Sequence, residues 1–172
     1  VLIGNEEDAE DVLGIRAGAS KVDAGELDVN RYPEVARQIA REFPNLRKIA
    51  ITLRESVSAD FNRWGAMLYD VASGSSTFAP TTDGVYTPYE IRNIVDRVGG
   101  GDSFCAGLIR MLAGDDDSGD VARETAPEDE IALGFAVAAS CLAHSIEGDF
   151  NFTSYDEVLA LANGSGSGRV IR

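Results

Sequence analysis

Asp96-Arg97-Val98-Gly99-Gly100-Gly101-Asp102-Ser103-Phe104-Cys105-Ala106-Gly107-Leu108 is the stretch from which the fold is read. Three glycines stand together, an aspartate follows, and Phe104, Leu108 and Met111 or Leu112 then recur at helical spacing. A helix is therefore expected to start near Gly101 or Asp102. The glycines fall where a helix has unpaired N–H groups and the positive end of its dipole. Without side chains they let those N–H groups turn towards an anion. With phosphate bound there, the Asp102 carboxylate is placed to accept a proton from an attacking hydroxyl, the layout of a phosphotransferase. The competing reading is a glycine turn with Asp102 as an ordinary helix cap.

The longer pattern decides between them. An acidic residue, two spacers, three glycines, Asp, three residues, then Ala106, Gly107, Leu108 and Ile109 resembles the C-terminal signature of the ribokinase-like (PfkB) sugar kinases. The resemblance implies that Asp102 is the catalytic base and that Gly99, Gly100 and Gly101 line an anion hole. Arg97 stands where that signature usually has Thr or Ser.

The chain has 172 residues, 44% of them apolar, enough for one core and one domain. No run of 18 apolar residues occurs, so no membrane-spanning helix is expected. Nor does a basic and apolar leader open the chain, and a cytoplasmic location is expected. Cys105 and Cys141 lack metal-type spacing and read as buried free thiols. The formal net charge is −14, with lysine only at Lys21 and Lys48. Such a chain repels nucleic acid and anionic membrane, so neither is expected as a partner. The acidity reads either as a solubilising surface or, the favoured reading, as adaptation to high salt, where a Debye length of about 3 Å at 1 M screens self-repulsion.

Val1-Leu2-Ile3 opens the chain without an initiator Met and reads as a strand already under way, so a fragment of a longer protein is expected. That strand delivers Gly4 and Asn5 to a helix expected over Glu6 to Leu13. Asn5 with several carboxylates at this junction suits Mg²⁺, water and phosphate, and equally suits helix capping. Here G-N-E-E-D-A-E resembles the family's N-x-x-E motif: Asn5 falls on the Asn, Asp8 on the Glu, and Glu7 is available to share the metal role.

Gly14 to Asn30 reads as a loop with a short helix, and Tyr32 to Phe43 as an amphipathic helix with Pro33 in its first turn. Lys48 to Leu53 is expected to be a central strand ending near Thr52-Leu53-Arg54, where the family has a phosphate-contacting turn of T-L-G type. Arg54 takes the Gly position; it either reaches a phosphate or a substrate carboxylate, or pairs with Glu55 or Asp60. Trp64 reads as packing, within a strand over Gly65 to Tyr69. Asp83-Gly84 is expected to turn a short hairpin. Gly114 to Asp129, with its triple Asp, reads as a solvated acidic loop.

Thr125-Ala126-Pro127-Glu128 has capping-box spacing before a helix expected from Glu130 to Ile146. Its small residues, Ala136, Ala138, Ala139 and Ser140, admit either a neighbouring element or a flat ring. The resemblance makes Ala139 and Ser140 the adenine candidates, with core packing as the alternative. His144 reads as structural, its cationic form suited to the helix C-terminus. Ser154 to Glu157 caps a final helix, and Gly164 to Gly168 reads as a flexible run.

Strand–helix alternation argues for an α/β fold. The resemblance implies the ribokinase-like three-layer α/β/α arrangement, a mainly parallel sheet with helices on both faces. Neither G-x-G-x-x-G nor G-x-x-x-x-G-K-[ST] is present, which excludes a dinucleotide Rossmann fingerprint and a P-loop. On the resemblance, residues 1–172 are the C-terminal, nucleotide-binding half of such a kinase, with the sugar-binding half and lid outside them. I-G-N-E-E-D-A-E, A-I-T-L-R-E-S, A-M-L-Y-D, D-R-V-G-G-G-D-S-F and G-S-G-R-V are similar to the 2-keto-3-deoxygluconate kinases. The implied reaction is ATP-dependent phosphorylation of the primary hydroxyl of 2-dehydro-3-deoxy-D-gluconate with Mg²⁺, with Arg97 holding the substrate carboxylate. A monovalent cation and a homo-oligomer remain open. The alternatives are a fructokinase- or ribokinase-type enzyme, or a nucleotide-binding module without transfer activity.

Overall fold

The computed structural model describes residues 1–15, 29–114 and 128–164. The Gly114–Asp129 acidic loop, the Thr125 capping box, most of the Gly14–Asn30 loop and the glycine-rich tail lie largely or wholly outside them.

Five strands form one sheet: β1 (Leu2–Asn5), β2 (Lys48–Ser58), β3 (Phe61–Asp70) and β4 (Ser76–Ala79) in that order, with β7 (Tyr89–Arg92) also paired to β3. Between them lies a small ribbon of β5 (Thr81–Thr82) and β6 (Val85–Tyr86). Asp83 and Gly84 turn this ribbon with φ of 52° and 76°, the positive values that a tight hairpin turn demands. The helices are α1 (Glu6–Asp11), α2 (Tyr32–Glu42), α3 (Gly100–Ala113), α4 (Glu128–Ala143) and α5 (Tyr155–Ala162).

The expectation of a mainly parallel sheet is corrected among the described residues. Only β1 and β2 run parallel; the β2–β3, β3–β4 and β3–β7 pairs are antiparallel. The reason is the connection. β2 does not stop in a turn after Thr52 but continues to Ser58, and two residues bring the chain back along β3. A return that short permits only antiparallel pairing, whereas a parallel one needs a crossover of a dozen residues or more.

Alternation along the strands fixes the layers. Ile49, Ile51, Leu53 and Met67 face α2, whose Tyr32, Val35, Ala36 and Ile39 form its buried stripe. Ala50, Trp64, Ala66 and Leu68 face the opposite way, into a core with Phe104 and Leu108 of α3, Leu133 to Leu142 of α4, and Val158 and Leu161 of α5. Helices therefore cover both faces of the sheet. The register Ala50↔Leu68, Thr52↔Ala66 and Arg54↔Trp64 places Thr52 and Arg54 on the α3–α4 face.

Lys48 ties the α4 start to this frame. Its Nζ donates to both oxygens of Asp129 at 2.6 and 2.7 Å and to Asp70 at 3.0 Å. Of the two thiols expected to be buried, Cys141 is and Cys105 is only half-buried.

Candidate active site

Gly99 has φ of 77°, and a Cβ there would stand 2.5 Å from the carbonyl oxygen of Asp149. Only glycine fits this left-handed, closely approached position. It turns the chain into α3, which starts at Gly100, one residue before the expected position. Gly100 N–H reaches back to Arg97 O at 3.4 Å and Ser103 N–H donates to Gly99 O at 2.8 Å. Between them, the N–H groups of Gly101 and Asp102 have no acceptor among the described residues. A Cβ on Gly101 would meet nothing within 4 Å. Two helix-end donors thus lack an acceptor among the described residues at an exposed helix start, the arrangement that attracts an anion.

Asp102 sits in the first turn of α3, exposed. Its carboxylate makes no capping hydrogen bond, so the ordinary-cap reading fails in geometry. A carboxylate with no donor among the described residues retains its acceptor capacity for an incoming hydroxyl.

The turn is held from several directions. Asp96 Oδ1 accepts the N–H groups of Arg97 (2.7 Å) and Val98 (3.0 Å), and its Oδ2 accepts Gly148 N–H (3.0 Å). Arg97 Nη2 donates to Ala59 O at 2.7 Å and lies 3.4 Å from Ser58 O and 3.5 Å from Asn62 Oδ1, which fastens the turn to the β2–β3 hairpin. Beneath the turn lies His144, buried, its ring so close to Gly100 that a Cβ there would be 3.0 Å from Cε1. Its Nδ1–H donates to Ser140 O at 2.7 Å, and Trp64 packs 5.2 Å away, centroid to centroid. Burial holds His144 below the usual histidine value; the Ser140 carbonyl opposes this and the Arg97 and Arg54 charges add to it. A buried imidazole packed beneath the turn agrees with the structural reading of His144, while burial works against its cationic form.

Where β1 passes into α1, Asn5 and Asp8 close a capping box. Asp8 N–H donates to Asn5 Oδ1 and Asn5 N–H to Asp8 Oδ2, both at 2.8 Å. The capping alternative for Asn5 is therefore realised, while Glu7 and Asp8 remain exposed. Asn5 lies beside Thr52 in the parallel β1–β2 register. Both pairings offered for Arg54 are absent: Glu55 binds Arg63 and Asp60 accepts from Ser58. Arg54 is exposed and has no hydrogen-bond or ion-pair partner among the described residues.

Ala139 and Ser140 are both buried. The small face of α4 receives α3: a Cβ on Gly107 would come within 3.0 Å of Ala136 Cα. Both side chains are packed between the helices in this structure, the arrangement that the packing alternative describes. Sequence reading missed Ser103 and Asn151. Asn151 Nδ2 donates to Ser103 Oγ at 3.3 Å and to Ala139 O at 3.1 Å, a bond across forty-eight residues without a local signal. No group of three His, Cys, Asp or Glu side chains gathers into a metal cluster among the described residues. No described helix is long and apolar enough to cross a membrane.

Solved structures similar to this chain are carbohydrate kinases. A 2-dehydro-3-deoxygluconokinase from Thermotoga maritima is 38% identical with a TM-score of 0.73, over 95% of this chain and 41% of that one. A PfkB family carbohydrate kinase from Listeria grayi is 25% identical with a TM-score of 0.65, again over 95% and 41%. A third structure, from Enterococcus faecalis, shares the fold at 22% identity and a TM-score of 0.65, over 99% and 42%. The chain spans about two fifths of the length of these structures. No protein-family model and no curated protein matches it.

Proposed function

We propose that this chain is the nucleotide-binding, C-terminal half of a PfkB-type sugar kinase. The reaction is transfer of the ATP γ-phosphoryl group to the primary hydroxyl of 2-dehydro-3-deoxy-D-gluconate, giving the 6-phosphate and ADP. The observation that carries the reading is the unengaged Asp102 carboxylate beside the open N–H groups of Gly101 and Asp102. Similarity to the Thermotoga kinase supports the sugar acid as substrate.

Asp102 orients the hydroxyl and takes its proton, a contribution of about 10²–10⁴-fold for positioned bases in general. The Gly99–Gly101 turn leads into the open N–H groups of Gly101 and Asp102, which meet the charge on the transferring phosphoryl group. Arg54, a guanidinium without a partner among the described residues and on the α3–α4 face of the sheet, pairs with a phosphate or with the substrate carboxylate. Arg97, exposed beside the turn, offers its remaining N–H groups to that carboxylate. Asn5 at the end of β1 and its register neighbour Thr52 within β2 line the nucleotide side.

Mg²⁺ fits the residues present, since it commonly enters on nucleotide phosphates with one or two protein carboxylates, and Asp8 and Glu7 are exposed at the head of α1. When bound it supplies charge neutralisation at the phosphates.

The test is coupled ADP release by the complete polypeptide with Mg·ATP and 2-keto-3-deoxygluconate, fructose or ribose. Turnover on the keto-deoxy acid is expected. Turnover only on a neutral sugar discards the substrate, and ATP binding without turnover moves the reading to a nucleotide-binding module.

A further inference from the structure

Gly101 and Asp102 are open to solvent, yet the residues on either side of them are fastened from behind. Ser140, with no exposed surface, donates its hydroxyl to Gly100 O at 2.7 Å. That oxygen belongs to the same peptide unit as the Gly101 N–H. The unit is planar and trans, so its C=O and N–H point in opposite directions. A grip on the oxygen at the back therefore sets the direction of the N–H at the front.

Ser140 is itself located by its neighbours. His144 Nδ1–H donates to the Ser140 carbonyl at 2.7 Å and fills the space against Gly100. The second fastening lies just beyond Asp102, where Asn151 Nδ2 joins Ser103 Oγ to Ala139 O. Thr153 N–H and Oγ1–H donate to Asn151 Oδ1 at 3.0 and 2.7 Å, which fixes the sense of the amide, because the reversed amide would set donor against donor. Two consecutive residues of α4, Ala139 and Ser140, thus anchor both flanks of the Gly101–Asp102 pair.

We propose that Ser140 is a positioning residue: through the planar Gly100–Gly101 peptide it aims the Gly101 N–H at the phosphoryl group, while Asn151 steadies Asp102 from its other side. The catalytic consequence rests on the kinase reading; the aiming of the N–H does not.

The experiment uses Ser140→Ala in the complete polypeptide, with Ser154→Ala, which removes a cap of α5, as a control for general loss of stability. Ser140→Ala is expected to lower kcat about ten-fold or more while KM for sugar and ATP stays within about two-fold. Backbone ¹⁵N order parameters of Gly101 and Asp102 are expected to fall in the same variant and hold in the control. A kcat within about two-fold of the parent, or order parameters that do not change, overturns the proposal. Should the parent show no turnover, the kinase reading fails, and the order parameters alone decide the aiming: a fall upholds it, no change overturns it.

Discussion

Asp96 and Gly148, fifty-two residues apart, are joined by a hydrogen bond of 3.0 Å from the Gly148 N–H to Asp96 Oδ2. The other carboxylate oxygen takes the N–H groups of Arg97 and Val98. One side chain thus ties the approach to the glycine turn to the segment that follows α4. The N–H groups of Val98, Gly148 and Arg97 hold its carboxyl below the usual aspartate value.

Asp96→Asn is expected to lower the melting temperature by a few degrees at neutral pH, because an amide turns one of these acceptors into a donor. The folded-state value of Asp96 is depressed, so its contribution is present above the unfolded value of 3.8 and is lost as pH falls below it. Parent and variant melts should therefore converge in acid; a constant gap down to pH 2 would count against the carboxylate as the cause.

A second acid-sensitive tie lies at the other end of the sheet. Asp70 is brought to about 2, chiefly by the Ser73 N–H and then by Lys48 and the Ser73 hydroxyl. Asp70→Asn should destabilise at neutral pH, with the deficit shrinking below pH 3.8 and vanishing near 2. Thermal melts across that range check it.

His144 is the only histidine in the chain, so its titration can be isolated. Its folded-state value lies below 6.5, and the unfolded chain therefore binds the extra proton first. Stability is full above 6.5 and falls as pH drops towards the folded value, by at most about 1.4 kcal/mol per pH unit. His144→Asn keeps a donor for Ser140 O but cannot titrate. Between pH 6.5 and 5 the parent should lose urea resistance and the variant should not.

Gly99 and Gly101 should respond oppositely to alanine. At Gly99 the left-handed backbone costs about 1–2 kcal/mol, to which contact with the Asp149 carbonyl adds. Gly101→Ala meets no atom and should hold or raise stability, by up to about 1 kcal/mol. The new methyl would nevertheless stand on the open face, so nucleotide affinity should drop. Urea melts and calorimetry with ATP separate the two effects; unaltered ATP affinity in a stable Gly101→Ala would place the phosphates elsewhere.

What could be read from the sequence was local. The α2 stripe, the Asp83–Gly84 turn, the Ser154 cap and a helix beginning at the glycines each follow from a few neighbouring residues. Strand direction was not legible, because the Ser58-Ala59-Asp60 turn carries no glycine to announce a hairpin and Thr52-Leu53-Arg54 looked like a strand end. Around the site, Asp102 and the glycines stand out in one short stretch, whereas Asn151 and Ser103 meet only after the helices pack. Ser140 was visible as a small residue, but its grip on Gly100 depends on how closely α3 lies against α4.

The central claim is that Asp102 is the base of a phosphoryl transfer. The most direct measurement compares the parent polypeptide with Asp102→Asn by coupled ADP release on the keto-deoxy sugar acid, with ATP affinity measured on both by calorimetry. The account predicts a fall in kcat of about 10²-fold or more with ATP affinity nearly unchanged, since the exposed carboxylate makes no hydrogen bond among the described residues. A variant that turns over at the parental rate would contradict it.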